Sequence, residues 1–386
     1  MLRRLVSAAA VTATVLSTIN MNTYSADDPA QFDSPNGWLL WHSYSDYSSL
    51  DSKLYIKAPS GEINEITGDF IHPMNGRFGT DPDQIIFMAI DPQADEWDIY
   101  LSSEGNIINL TEKSGFRNED PKWSPDGSTV VFKRGHWDSD TNGFIYDLAL
   151  MDIQTREINM LTDSNEEEAM PCYSADGKYI YFASYASGIG AIKQIDLDSH
   201  VIETIFDEIG VNAYYPVTKD TNFFFTKWYS EDNHHDQIMI FDNSKAEYMP
   251  FDSYSYDCSD ACPTKDEKMI FSCTMNGSYD LFYFDGNVTV PLSELNSEKN
   301  ELGADFFPIL NESKDKYLKG DVNADNSFTV ADLVLLQKWL LNFPDANLRS
   351  WTSGDLCNDE KLDFFDLCMM RKELIQKNSS GTSYGV

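Results

Sequence analysis

One phrase returns along most of this chain, and a chain built that way has few folds open to it. The phrase is clearest as NEDPKWSPDGSTVVF, residues 118–132. It recurs as EAMPCYSADGKYIYF from Glu168, AYYPVTKDTNFFF from Ala213 and DACPTKDEKMIF from Asp260, with a degenerate copy, FIHPMNGRFGTDPDQIIF, from Phe70. Prolines mark the beat at Pro73, Pro121, Pro171, Pro216, Pro263 and Pro308, at gaps of 48, 50, 45, 47 and 45. Each unit reads as a strand carrying the proline, an Asp-Gly turn such as Asp126-Gly127 or Asp176-Gly177, and an apolar strand. A third strand ending in Asp (DIYLSS, LALMDI, QIMIFD) and a short fourth (IINLTE, INMLTD) follow. A unit of this size cannot bury its apolar faces alone and must stack on its neighbours. Four strands per unit is a propeller blade. The sixth proline lacks the rest of its blade downstream, whereas GWLLWHSY, KLYIKA and EINEIT stand unclaimed between Gly37 and Thr67. The strand around Phe306 is therefore expected to pair with these three and close an all-β six-bladed propeller over residues 27–310, leaving no free sheet edges.

A second repeat follows a short linker at 311–319. GDVNADNSFTVADLVLLQKWLL begins at Gly320 and GDLCNDEKLDFFDLCMMRKELI at Gly354, offset by 34. Asp321, Asn323 and Asp325 place side-chain oxygens on alternate residues, and Asp332 arrives eleven positions after the first. This is the rhythm of a twelve-residue calcium loop, with Ser327 offering a carbonyl and Thr329 a water contact. The second loop supplies Asp355, Cys357, Asp359, Lys361, Asp363 and Asp366 at the same positions. Position 6, where such loops favour Gly, is Asn326 and Glu360, and position 3 of the second loop is a soft thiol. Calcium is expected to bind ordinarily at the first loop and more weakly at the second.

Two tandem loop–helix units, each opening Gly-Asp and ending Asp-Leu, resemble a type I dockerin, the small all-α calcium-binding module that plugs proteins into cohesins on a cellulosome scaffoldin. The resemblance covers residues 320–376, with 377–386 as a tail. It implies a cohesin-binding face at Val330, Ala331, Gln337, Lys338 and Asn342 in the first repeat, and at Phe364, Phe365, Arg371, Lys372 and Gln376 in the second. Val-Ala against Phe-Phe breaks the internal symmetry, implying one dominant binding orientation; packing of the two phenylalanines inside the module is the other reading. PKWSPDG followed by an aromatic-rich strand resembles the TolB-like propeller family, which includes the propellers of prolyl-oligopeptidase-type peptidases. In that reading Trp123, Pro125, Asp126 and Gly127 are structural.

The first 25 residues carry Arg3 and Arg4, an apolar run from Leu5 to Leu16, then small polar residues, the pattern of a secretory signal with cleavage after Ser25 or Ala26. The expectation is a secreted, extracellular, cellulosome-associated protein. Sixty-three acidic against 28 basic residues give a net charge of −35, which argues against nucleic acid and anionic membranes as partners. Six cysteines in 386 residues do not make a disulfide scaffold. Cys258, Cys262 and Cys273 cluster, so either a bridge among them or buried free thiols fits; the redox state of Cys357 and Cys368 is equally open.

Catalytic chemistry is hard to find. Gly381 to Gly385 spell GxSxG, but no strand precedes the serine and no helix follows it, so the string is a coincidence. His136, beside Trp137, and the pair His234-His235 lack metal-ligand spacing. The residues entering the innermost strands, His72, Asn118, Glu119, Asp120, Glu168, Tyr214, Asp260 and Asp305, are the candidates for a channel mouth. Converging carboxylates there suit a cation or acid–base work on a sugar, and an acidic solvated rim is the plainer alternative. The favoured expectation is a non-catalytic propeller binding plant cell-wall polysaccharide or a protein partner. A polysaccharide lyase or glycoside hydrolase is the alternative.

Overall fold

The computed structural model describes residues 35–66, 69–93, 96–140, 142–186, 188–229, 235–242, 245–249, 255–264, 268–309, 318–325, 327–341, 343, 346–357 and 362–379. The expected signal segment, the GxSxG string, His234, Asn326, Asn342, Asp359, Glu360 and Lys361 lie outside the described residues. The chain divides into two compact units, 1–309 and 310–386. No described helix is long and apolar enough to cross a membrane.

The first unit is built from β1 (Gly37–Tyr44), β2 (Lys53–Lys57), β3 (Ile63–Ile66), β4 (Ile71–Phe78), β5 (Ile85–Ile90), β6 (Trp97–Ser103), β7 (Asn106–Asn109), β8 (Arg117–Trp123), β9 (Thr129–Asp138), β10 (Gly143–Asp152), β11 (Ile158–Met160) and β12 (Glu167–Tyr173). It continues with β13 (Tyr179–Ala186), β14 (Ile189–Asp196), β15 (Ile202–Phe206), β16 (Val211–Lys219), β17 (Asn222–Tyr229), β18 (Gln237–Asp242), β19 (Lys245–Tyr248), β20 (Cys258–Pro263), β21 (Met269–Cys273), β22 (Asp280–Phe284), β23 (Thr289–Pro291) and β24 (Asn300–Pro308). Five consecutive quartets, from β4–β7 to β20–β23, form antiparallel four-stranded sheets, and the sixth sheet has the order β24-β1-β2-β3. The innermost strands touch around a closed circle β24, β4, β8, β12, β16, β20. This is a six-bladed propeller.

The Asp-Gly turns join the first and second strands as the sequence implies. Gly127, at φ +72°, donates its N–H to the Ser124 carbonyl at 2.9 Å, while Asp126 accepts from the Ser124 hydroxyl and from the Ser128 N–H. Ser174, Asp176 and Gly177 repeat this arrangement. Trp123 donates from its indole to the Arg77 carbonyl, tying neighbouring blades.

An aromatic on the second strand of five blades, Phe87, Phe132, Phe182, Phe225 and Phe271, is almost completely buried. Each sits in one of the apolar clusters that bridge adjacent blades, such as Val131, Leu148, Ile180, Phe182 and Ile195 between the third and fourth sheets of the chain. Burying such a side chain contributes about 1.5–3 kcal/mol, so the ring rests on its own apolar interfaces. All three clustered cysteines are free thiols; Cys258 and Cys273 stand opposite each other on β20 and β21 with their sulfurs 3.0 Å apart.

One feature of the beat differs from the sequence reading. Every innermost strand bulges next to a residue of positive φ: Asn75, Asp120, Met170, Tyr215, Asp260 and Gly303. Pro121, Pro171 and Pro216 follow three of these directly, but the equivalent places elsewhere hold Gly76, Ala261 and Ala304. Pro73, Pro263 and Pro308 therefore lie off the structural period. The reason is that the bulge requires a backbone conformation and a small or ring-locked successor, not a proline as such.

In the second unit, helix α1 (Val330–Leu340) and helix α3 (Phe364–Ser379) each follow a loop, with a single turn α2 (Trp351–Gly354) before the second loop. Val322, Phe328, Leu336, Leu356, Met370 and Leu374 form the core. Two of the pairs within it, Val322 with Leu356 and Leu336 with Met370, stand at the 34-residue offset. Gly320, at φ +95°, lies so close under the Phe328 ring that a Cβ would come within 2.4 Å of it.

Candidate functional site

The bulges set up the centre of the ring. One position beyond each positive-φ residue and its successor, the strands present Arg77, Lys122, Cys172, Val217, Cys262 and Asp305. All six line a cavity of about 370 Å³ at the end of the channel where the inner strands finish. Phe78, Trp123, Tyr173, Tyr215 and Phe306 add aromatic wall, and Ser174, Thr218 and Lys219 add polar groups.

Arg77 crosses this space. Its guanidinium donates to the Gly303 carbonyl at 2.8 Å on the adjacent β24, and to the Tyr215 hydroxyl at 2.5 Å on β16, three blades away. Lys122, on the blade beside it, is half-buried with its ammonium 5.3 Å from the Tyr215 ring centroid. Burial first, and the Arg77 charge second, push the Lys122 amine down to about 7. Burial raises the Cys172 and Cys262 thiols to about 12, so both stay protonated. Arg77, Lys122 and Tyr215 also wall a narrow space of about 10 Å³ with Asn75, Asp120, Met170 and Pro216. The two cations thus form a partition across the channel.

The channel-mouth candidates chosen from sequence lie within the inner strands, and they do not converge. His72 accepts from the Ser52 N–H and packs edge-on against Tyr47. Glu119 is held by Arg117 and Lys133 at 3.2 and 3.6 Å, and Glu168 is buried. Asp120 accepts from Asn75 at 2.7 Å, Asp260 from the Gly303 N–H at 2.8 Å, and Asp305 from the Phe78 N–H at 2.7 Å. Tyr214 is paired with Asp236. Asn118 is fully buried against Arg134. Of these residues only Asp305 reaches the larger cavity and only Asp120 the smaller. Arg77 and Lys122 carried no sequence signal, because they share neither residue type nor a motif.

The calcium-loop residues have their own geometry. Thr329 and Asp332 form a capping box at the start of α1, with Asp332 accepting from the Thr329 N–H at 2.8 Å and from the Asn323 N–H at 3.3 Å. Asp325 takes the Ser327 N–H, and its own N–H goes to Asp321. In the second loop Asp366 accepts from the N–H groups of Leu356, Cys357 and Asp363. Asp332 and Asp366 are both completely buried. Asp355, Cys357 and Asp366 bring their donor atoms within 4.8 Å of one another, the one such set among the described residues. Val330, Ala331, Gln337, Arg371 and Lys372 are exposed and Lys338 is half-buried. Phe364 and Phe365 are 57% and 66% exposed, which removes them from the module's core.

Comparison with known proteins bears on the fold. No family model matches the chain. An uncharacterized protein of Agrobacterium fabrum is 27% identical over 185 residues, which are 46% of this chain and 59% of that one. Hydrazine synthase of Kuenenia stuttgartiensis superimposes with a TM-score of 0.58 at 14% identity, over 70% of this chain and 46% of its own. TolB from Acinetobacter baumannii gives a TM-score of 0.49 at 15% identity, over 72% and 69%. The chain thus spans about half to three-fifths of the first two. At these identities the structural likeness is one of fold alone.

Proposed function

We propose that the protein is a secreted cellulosome component whose C-terminal unit is a type I dockerin, ordered by calcium and bound by the cohesin of a scaffoldin, and whose propeller is a binding module acting in polysaccharide degradation. The observation that carries the docking half is the pair Asp332 and Asp366: 34 residues apart, each completely buried, each gathering the N–H groups of its own loop. A buried carboxylate is costly unless paired, and among the described residues no lysine or arginine forms an ion pair with Asp321, Asp332 or Asp366. A hard divalent cation fits that charge. Asp321, Asn323, Asp325, Ser327, Thr329 and Asp332 would hold it in the first loop, and Asp355, Asp366 and the softer Cys357, with Asp359, Lys361 and Asp363, in the second. Bound calcium supplies the positive charge that lets the acidic loops close, so binding and folding of the unit are coupled. The exposed Val330, Ala331, Phe364 and Phe365 support a partner-facing surface at the first turns of α1 and α3.

For the propeller, binding is favoured over glycan cleavage because the carboxylates do not gather. Two carboxylates line the larger cavity, Asp305 and the exposed Asp220. Asp305 already accepts a backbone N–H from the next blade, and none of the other channel-mouth carboxylates joins them to make an acid–base pair flanking a sugar. Calorimetry of the full chain with a cohesin in calcium, repeated in excess chelator, tests the docking role. Tight binding abolished by chelator is expected; binding indifferent to it refutes the proposal. Incubation with a panel of plant polysaccharides tests the propeller: new reducing ends or unsaturated products would overturn the non-catalytic reading.

A further inference from the structure

We propose that the channel cavity is a binding site for a small oxyanion-bearing molecule, a carboxylate sugar or a similar compact anion, held by Arg77 and Lys122. This gives a ligand class to the propeller half of the reading above and owes nothing to the calcium loops.

The chain carries 63 acidic and 28 basic residues, so a buried cation with no direct ion pair to a carboxylate is the exception to be explained. At the partition there are two, on adjacent blades. Arg77 is 6% exposed and spends its hydrogen bonds on backbone carbonyls and a tyrosine hydroxyl, all neutral. The Lys122 ammonium is set against the Tyr215 ring. Among the described residues neither forms an ion pair with a carboxylate. Buried charges are ordinarily paired, since an isolated one loses its hydration without return. Here the two cations, with Asp305 and Asp260 acting on Arg77 without a direct ion pair, face a cavity whose volume falls in the range of small-molecule sites.

The surroundings suit a compact polar ligand. Tyr173, Tyr215, Phe306 and Trp123 offer flat faces, Ser174 and Thr218 offer hydroxyls, and Lys219 adds a third cation against the two lining carboxylates Asp220 and Asp305. A rigid guanidinium is preorganised for an oxyanion, and a lysine supplies an adjustable point charge. The groups acting on Lys122 are Arg77 from β4, Asp305 from β24, Cys172 from β12 and Asp120 from its own strand. Asp305 and Asp120 favour its protonation, but burial and Arg77 outweigh them and leave the amine near 7. An incoming anion reverses that balance. Binding should therefore draw a proton onto Lys122 and weaken as pH rises above 7.

The test is calorimetry of the full chain with sodium sulfate and with sodium glucuronate, neither of which titrates in the range used, at about pH 6 and about pH 8.5. At least one anion should bind at the lower pH, and its affinity should fall by up to about thirtyfold at the higher, as linkage to an amine near 7 requires. Lys122→Met should lose binding by at least about tenfold, a single charge-assisted contact. Lys122→Arg should bind with no pH dependence, and it carries the test if the methionine variant does not fold. Excess chelator should change nothing, which separates this site from the C-terminal loops. No heat with either anion, equal affinity at both pH values, or an unchanged Lys122→Met variant would overturn the proposal.

Discussion

The two units solve the problem of buried charge in opposite ways. Among the described residues, Arg77 and Lys122 at the centre of the ring form no direct ion pair with a carboxylate, and in the C-terminal loops Asp321, Asp332 and Asp366 form none with a lysine or arginine. The ring can carry two cations without direct ion pairs because six blade interfaces, each filled by large apolar side chains, hold the channel in shape. The C-terminal unit has a core of six buried residues, three of them, Val322, Phe328 and Leu356, inside the acidic loops themselves. A scaffold that folds on apolar burial can present a charge for use. A scaffold short of apolar burial needs the charge answered before it folds.

The strongest test of that contrast is chelation. Removing calcium should abolish the helical signal of the C-terminal unit and cohesin binding, while the ring's near-ultraviolet circular dichroism stays as it was; a ring that loosens in parallel would end the comparison. Phe182→Ala should do the reverse, costing the ring about 3–5 kcal/mol in denaturant unfolding while the calcium titration is unmoved.

Acid separates the units further. His42 is buried on β1, and burial, then Arg77 and His72, hold it down to about 3. A histidine whose folded value lies below its unfolded one costs nothing above pH 6.5. As pH falls from there toward 3, the unfolded state takes up a proton the folded state refuses, so stability declines, on the order of 4 kcal/mol in all. The ring should show this slope, and His42→Asn, which takes up no proton, should lack that part of it. The smallest effect is expected at a blade turn: Asp126→Ala removes acceptors for Ser124 and Ser128 and should lower ring stability by about 1 kcal/mol, with anion and calcium binding untouched.

The sequence made the blades legible because their signals are local. Asp126-Gly127 and Asp176-Gly177 must turn wherever they occur, and runs such as VVF and YIYF alternate only as strands. The sharing of the last blade followed by counting strands. The bulges were not legible as a set, since Asn75, Asp120, Asp260 and Gly303 tolerate positive φ by residue type but Met170 and Tyr215 take the same conformation only under pressure from the ring. Arg77 and Lys122 were hidden for the same reason: only closure brings 45-residue neighbours to one cavity. In the C-terminal unit the loop rhythm was plain because its oxygen-bearing residues stand at fixed local spacing, whereas the burial of Asp332 and Asp366 comes only with the packing of the two helices.

The pairing of β24 with β1 has a consequence for how the molecule is made. Ser43 waits for Glu301, 258 positions later, before its hydrogen bond can form. Until the ribosome delivers that strand, an apolar margin that includes Trp38, Leu39 and Leu40 has no proper neighbour. Blades already complete can stack, yet the circle stays open, and a stray strand from another molecule is the natural impostor. Chaperone dependence and aggregation during synthesis should therefore hinge on the interval between these two moments, and slowing translation before residue 300 should lengthen it.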